Sequence, residues 1–162
     1  MRQAAYVLGV HPNSRGIGWV LLEGAGKPLD WSIARTTDNK KCVALLDQFF
    51  ESRSALCLVL EEYSGRGIRR GVRVQHLCGD IIKRAKSAGI PTYVYSKSDI
   101  QTCFFPKGGR DRYAIAKTIA KRVPGFALRL PPRRRLWVSE DSRLALFDAA
   151  AIALTHLARR PQ

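Results

Sequence analysis

The side chains of this sequence with the most evident chemistry are its cations: 28 Lys and Arg stand against 13 Asp and Glu, a formal net charge of +15. They are bunched. Arg66, Arg69, Arg70 and Arg73 share one stretch, Lys107, Arg110 and Arg112 another, and Arg133, Arg134 and Arg135 form an unbroken run ahead of Trp137. Cations at this density suit a polyanion, because each phosphate they neutralise releases condensed counterions. A single exposed Arg is ordinary surface charge; three clusters are harder to read that way. A Trp after an Arg run has two readings, a base-stacking platform or a core anchor. The charge by itself would equally suit a ribosome-associated protein. A membrane surface fits less well, since these residues lie between structured segments and not along one face of an amphipathic helix.

Fewer other groups invite chemistry. Cys42, Cys57, Cys78 and Cys103 include no CxxC pair and no His at zinc-finger spacing. They imply neither a zinc site nor a disulfide framework, and read as small buried apolar residues in a reduced compartment. His76 and His156 read as structural. No stretch approaches the roughly 18 to 20 apolar residues of a membrane helix. The opening MRQAAYVLGV runs into His11-Pro12 with no small-residue cleavage site, so a cytoplasmic protein without a membrane partner is expected.

The elements that must position these groups follow from periodicity. A chain of 162 residues is long enough for one core, so residues 1–162 read as one domain. Residues 6–10 (YVLGV) and 17–22 (IGWVLL) are β-rich runs joined by HPNSRG, a hairpin, and residues 29–35 alternate as a third strand. A helix over about residues 41–51 precedes LCLVL at 56–60, a strand buried on both faces that ends in Glu61-Glu62. Residues 72–88 form a second helix with Gly89 as its stop, and 90–95 a fifth strand. Ser96 caps a short helix, residues 112–122 are helical, 124–132 are a linker, and Ser139 or Ser142 opens a last apolar helix through Leu157. Three antiparallel strands followed by βαβ units give an α/β protein: a mixed five-stranded sheet with helices on both faces.

On this framework VLGVHPNSRGIGWVLLE resembles the opening strand, turn and second strand of RuvC-type Holliday junction resolvases, where the motif runs aliphatic-G-[I/V]-D-P-G-S-x-x-x-G. LVLEEY resembles that family's fourth strand with its catalytic Glu, and FDAAAIALTHL its last-helix signature DALAIAITH. The helix carrying Gly79, the stretch IPTYVYSKSDIQTCF and the loop KGGRDR are similar to the family's helix, fifth strand and phosphate-contacting loop, so the resemblance covers nearly the whole chain. It implies the RNase H-like fold and hydrolysis of branched or structured nucleic acid, DNA before RNA, with two divalent ions, Mg²⁺ or Mn²⁺. It puts Glu61 and Asp148 at metal-binding positions and turns the three basic clusters toward nucleic acid. A homodimer is implied as well, because a two-fold branched junction is best cut by two related sites.

Three positions depart from the family pattern. Asn13 replaces a Gly and is expected to hold the left-handed turn conformation. Ala145 stands where an acidic residue or His is usual. His11 replaces the first catalytic Asp, and an imidazole brings one lone pair per nitrogen and no negative charge. In one reading the enzyme is active, His11 ligating a softer ion such as Mn²⁺ and Asp141, seven residues before Asp148 and so roughly on its helix face, filling a vacancy. In another the protein is degenerate and binds nucleic acid without cutting it, in recombination or in plasmid or phage maintenance. In the third, His11 hydrogen-bonds Glu61 or Asp148 and neutralises a buried acidic pair. The candidate catalytic residues are thus His11, Glu61, Asp148 and Asp141, and the candidate metal ligands Glu61, Asp148 and His11, for an ion held weakly or not at all if the site is degenerate. An RNA-processing role on the same fold is the remaining alternative.

Overall fold

Side chains alternate across a strand, so apolar runs of this kind must be covered on two faces. The computed structural model describes residues 5–52, 54–108, 111–133 and 141–160. β1 (Tyr6–Asn13), β2 (Gly16–Glu23) and β3 (Lys27–Ala34) form an antiparallel meander. A first helix, α1 (Asn39–Ser52), leads to β4 (Leu56–Glu61), which pairs with β1 in parallel. α2 (Val72–Ser87) then leads to β5 (Thr92–Tyr95), parallel to β4, and the sheet order is β3-β2-β1-β4-β5. The chain ends with α3 (Lys97–Phe104), α4 (Arg112–Arg122) and α5 (Leu144–Arg159).

Leu8, Val10, Leu58 and Leu60 point to the face covered by α1 and α2, while Val7, Val20, Cys57 and Val59 point to the face covered by α3, α4 and α5. The expected α/β architecture, a mixed five-stranded sheet with helices on both faces, is the one observed. No helix among the described residues is long and apolar enough to cross a membrane.

α5 is apolar on nearly every side and buried along most of its length from Leu144 to His156, as a helix inside a core must be. It lies flat on the sheet because β1 and β2 present glycines beneath it. A Cβ on Gly9 would stand 2.4 Å from the Ala149 carbonyl oxygen, and one on Gly18 would stand 2.5 Å from that of Ala145. These distances are far inside van der Waals contact, so any side chain at either position pushes the helix off the sheet.

Three local expectations are corrected. Asn13 is not left-handed; its Oδ1 accepts the backbone N–H groups of Arg15 (2.8 Å) and Gly16 (3.1 Å), and the positive φ, 154°, falls on Gly16. An Asn side chain that mimics a backbone turn does the work a Gly would do by conformation. Ser142 does not cap the last helix, which starts at Leu144 after Arg143; its hydroxyl accepts from Arg35 instead. Ser139 lies outside the described residues. The stretch 124–132 is more than a linker, because Phe126 is fully buried, its ring centroid 5.2 Å from Trp31 and 5.7 Å from Phe147, and a 3-10 turn follows at Ala127–Arg129.

Two glycines predict opposite outcomes. Gly9→Ala lowers stability by about 1–3 kcal/mol through overpacking. Gly79→Ala raises it by about 1 kcal/mol, since a Cβ there meets nothing within 4 Å and α2 gains a better helix former. Urea unfolding of the two variants beside the wild type checks both signs.

Candidate functional site

Pairing places the first two residues. The parallel register sets Val10 beside Leu60, so His11 and Glu61 come next on adjacent strands, and alternation turns both toward the α5 face. Asp148 precedes Ala149, the residue that rests on Gly9, and the close approach of α5 carries it over the end of β1. His11, Glu61 and Asp148 line one cleft of about 490 Å³ at the C-terminal ends of β1 and β4.

Each carboxylate in that cleft has a guanidinium. Arg70 bonds Glu61 through one Nη and the Pro12 carbonyl through the other, at 2.9 Å. Arg112, the first residue of α4, holds Asp148 in a fork, with Nε on Oδ1 at 2.8 Å and Nη2 on Oδ2. The Nε2 of His11 lies 3.4 Å from Asp148 Oδ2, longer than an ordinary N–H···O bond. Burial pushes the His11 imidazole below its ordinary pKa, outweighing the upward pull of Asp148, so it is neutral at pH 7. The acidic pair is therefore neutralised by the two arginines and not by His11. A His–Asp general base needs its second ring nitrogen facing a substrate, but His11 Nδ1 is buried without a hydrogen-bond partner.

The donor set does not fit a divalent metal centre. His11 supplies no charge, Glu61 and Asp148 are each committed to an arginine, and among the described residues no group of three His, Cys, Asp or Glu could hold a metal ion. Asp141 lines the cleft too, but it lies in the turn before α5 and not on the helix face shared with Asp148. Both of its oxygens take bonds from Arg143 (3.0 and 2.7 Å), which pull its carboxyl down to about 2. Ala145 packs against Gly18.

Of the basic residues expected at a nucleic-acid surface, Arg69, Arg70 and Arg112 line the cleft. Arg73 is not on its wall; bonded to the Asn13 carbonyl and Asn39 Oδ1 at 2.8 Å each, it ties the β1–β2 turn to α1. Arg66 and Lys107 are exposed outside the cleft, and Arg133 pairs with Asp111 over the Tyr113 ring. Arg110, Arg134, Arg135 and Trp137 lie outside the described residues. Arg15 and Lys97 also line the cleft, and the sequence reading missed both. A hairpin turn beside His11 and the first position of a capped helix were the signals for them.

Three of the four thiols and His156 are buried as a structural role requires, while Cys103 is only partly buried and His76 is exposed, against expectation. Cys42, Cys57 and Cys78 are buried, and burial pushes the Cys57 and Cys78 thiols up to about 11 and about 12. His156 is buried with Nδ1 2.8 Å from the Tyr95 hydroxyl and Nε2 3.6 Å from Cys57 Sγ.

Solved structures share this architecture. RuvC of Thermus thermophilus in complex with Holliday junction substrate superposes with a TM-score of 0.64 at 20% identity, over 94% of this chain and 92% of that one. A second Thermus thermophilus RuvC structure gives 0.62 at 22% identity, covering 93% and 92%. The yeast mitochondrial Holliday junction resolvase gives 0.61 at 14% identity, covering 97% of this chain and 79% of that one. No protein-family model matches the sequence, and no curated protein matches it significantly. The fold class is thus the RNase H-like α/β fold in the form RuvC takes.

A double-mutant cycle separates the cleft pair from a surface pair. Arg112 and Asp148 side chains are 36% and 15% exposed, against 63% and 51% for Arg133 and Asp111. The first cycle gives a coupling of about 1–3 kcal/mol by chemical unfolding, and the second gives almost none. Burial also lowers the pKa of His156 below its ordinary value. The unfolded chain therefore takes up its proton first as pH falls, and stability that is full above about pH 6.5 is lost below it. Thermal melts drop between neutral pH and about pH 5, and His156→Gln makes that drop shallower.

Proposed function

We propose that residues 1–162 act as one RNase H-like domain that binds branched DNA in this cleft and holds it without efficient Mg²⁺-dependent cleavage. The observation that carries the reading is the pairing of Glu61 with Arg70 and of Asp148 with Arg112 around a neutral His11. Hydrolysis of a phosphodiester by this fold needs clustered free carboxylates to hold hard cations, and among the described residues the cleft offers none. Support for nucleic acid as partner comes from the net charge of +15 and from the likeness, over 94% of the chain, to a RuvC solved with a Holliday junction. DNA is favoured over RNA on that likeness, and a homodimer would match a two-fold junction.

A second reading, a resolvase with an altered site, is favoured by one observation: Glu61 and Asp148 both line the cleft beside His11. Binding and cleavage assays on four-way junction, duplex and RNA, in Mg²⁺ and in Mn²⁺, separate the two. Junction binding is strong at low salt and falls steeply as salt rises, and Arg69→Ala weakens it for all sequences alike, since phosphate contacts carry no base information. Wild-type protein leaves the junction essentially uncut. His11→Asp, which adds a carboxylate next to Asp148, raises cleavage in part, with Ala145 still silent. Efficient cutting by the wild type in Mg²⁺, abolished by His11→Asp, would make His11 a working catalytic residue and overturn the first reading.

A further inference from the structure

Positive charge dominates the cleft walls. Arg69, Arg70, Lys97 and Arg112 line the cleft together with Glu61, Asp141 and Asp148, so cations already outnumber carboxylates there before any ion enters. A carboxylate cluster built for Mg²⁺ has the opposite balance, and repels a phosphodiester until divalent ions fill it. Here the sign is already right for phosphate.

Two of these cations are also fixed in place. Arg70 is anchored at both ends of its guanidinium, by Glu61 and by the Pro12 carbonyl, and so spans the ends of β1 and β4. Arg112 is held by both oxygens of Asp148. A guanidinium held this way loses little side-chain freedom when a phosphate arrives, and its five N–H donors let one side chain bridge a carboxylate and a phosphate oxygen. Gly71 at the start of α2, also on the cleft wall, offers no side-chain cap to the first N–H groups of that helix, which adds to the positive field.

We infer that the cleft holds a DNA backbone phosphate directly, without a divalent ion, with Arg70 and Arg112 supplying the charge that metal ions supply in a carboxylate-rich site. The inference rests on the cleft being the DNA site. Its test is fluorescence anisotropy of a labelled four-way junction in EDTA and in Mg²⁺ at matched ionic strength, joined to calorimetric titration with Mn²⁺.

The wild type binds the junction equally in both buffers and takes up no Mn²⁺. Arg70→Gln with Arg112→Gln weakens binding in EDTA about tenfold or more, and Mn²⁺ binding emerges because two carboxylates are released. Arg70→Lys with Arg112→Lys keeps the charge but loses the fork, and recovers part of the affinity. If the Gln pair fails to fold by circular dichroism, the Lys pair decides: a fall in EDTA binding at unchanged melting temperature supports the inference, and unchanged binding overturns it. A wild type that needs Mg²⁺ to bind, or a folded Gln pair that binds as the wild type does, overturns the inference and leaves the DNA reading intact. No junction binding in either buffer removes the reading itself.

Discussion

Two backbone carbonyls of α5, at Ala145 and Ala149, lie so near β1 and β2 that only Gly18 and Gly9 fit beneath them. That approach sets the height of everything on this face of the sheet. It brings Asp148 down beside His11 at the ends of β1 and β4. It also accounts for the apolar character of α5, whose flanks meet the sheet, α3 and α4 and which is exposed only at its C-terminal end. Phe126, folded back between Trp31 and Phe147, closes the same layer from the loop after α4.

At that depth an unpaired carboxylate is costly, because burial removes water faster than it supplies compensating bonds. Two such groups near one another need positive charge from somewhere. In this chain it comes from Arg70 and Arg112, one for one. Position 11 then decides whether the two bridges leave a charge over. A carboxylate there would leave a negative charge uncompensated and give a cation a reason to bind, whereas a neutral imidazole closes the balance without one. The loss of one charge on β1 and the two arginine bridges are therefore parts of a single electrostatic arrangement, and Arg69 and Lys97, on the same cleft wall, add to its attraction for phosphate.

The same arrangement reconciles a RuvC-like fold with so little sequence identity. The architecture depends on the glycine contacts, the apolar strands and the buried helix, and not on the charged groups at the ends of β1 and β4. Function on such a fold resides in the cleft groups, which can change without cost to the core.

What the sequence determined was local and periodic. The strand and helix order, the two buried faces and the sharing of one cleft by His11, Glu61 and Asp148 were legible because alternation, helical spacing and three short motifs each act over a few residues. The tertiary structure alone decided what those groups bind to. Arg112 meets Asp148 across 36 positions of chain and Arg73 meets Asn13 across 60, so no pattern in either neighbourhood could announce the pairing. For the same reason arginines that read as a free nucleic-acid surface proved partly committed within the fold, Asp141 fell off the helix face that its spacing suggested, and Phe126 hid a core contact inside a segment whose Pro and Gly spell a loop. Charge count is a property of composition. Which charges cancel is a property of where the folded chain puts them, and it sets what the cleft can hold.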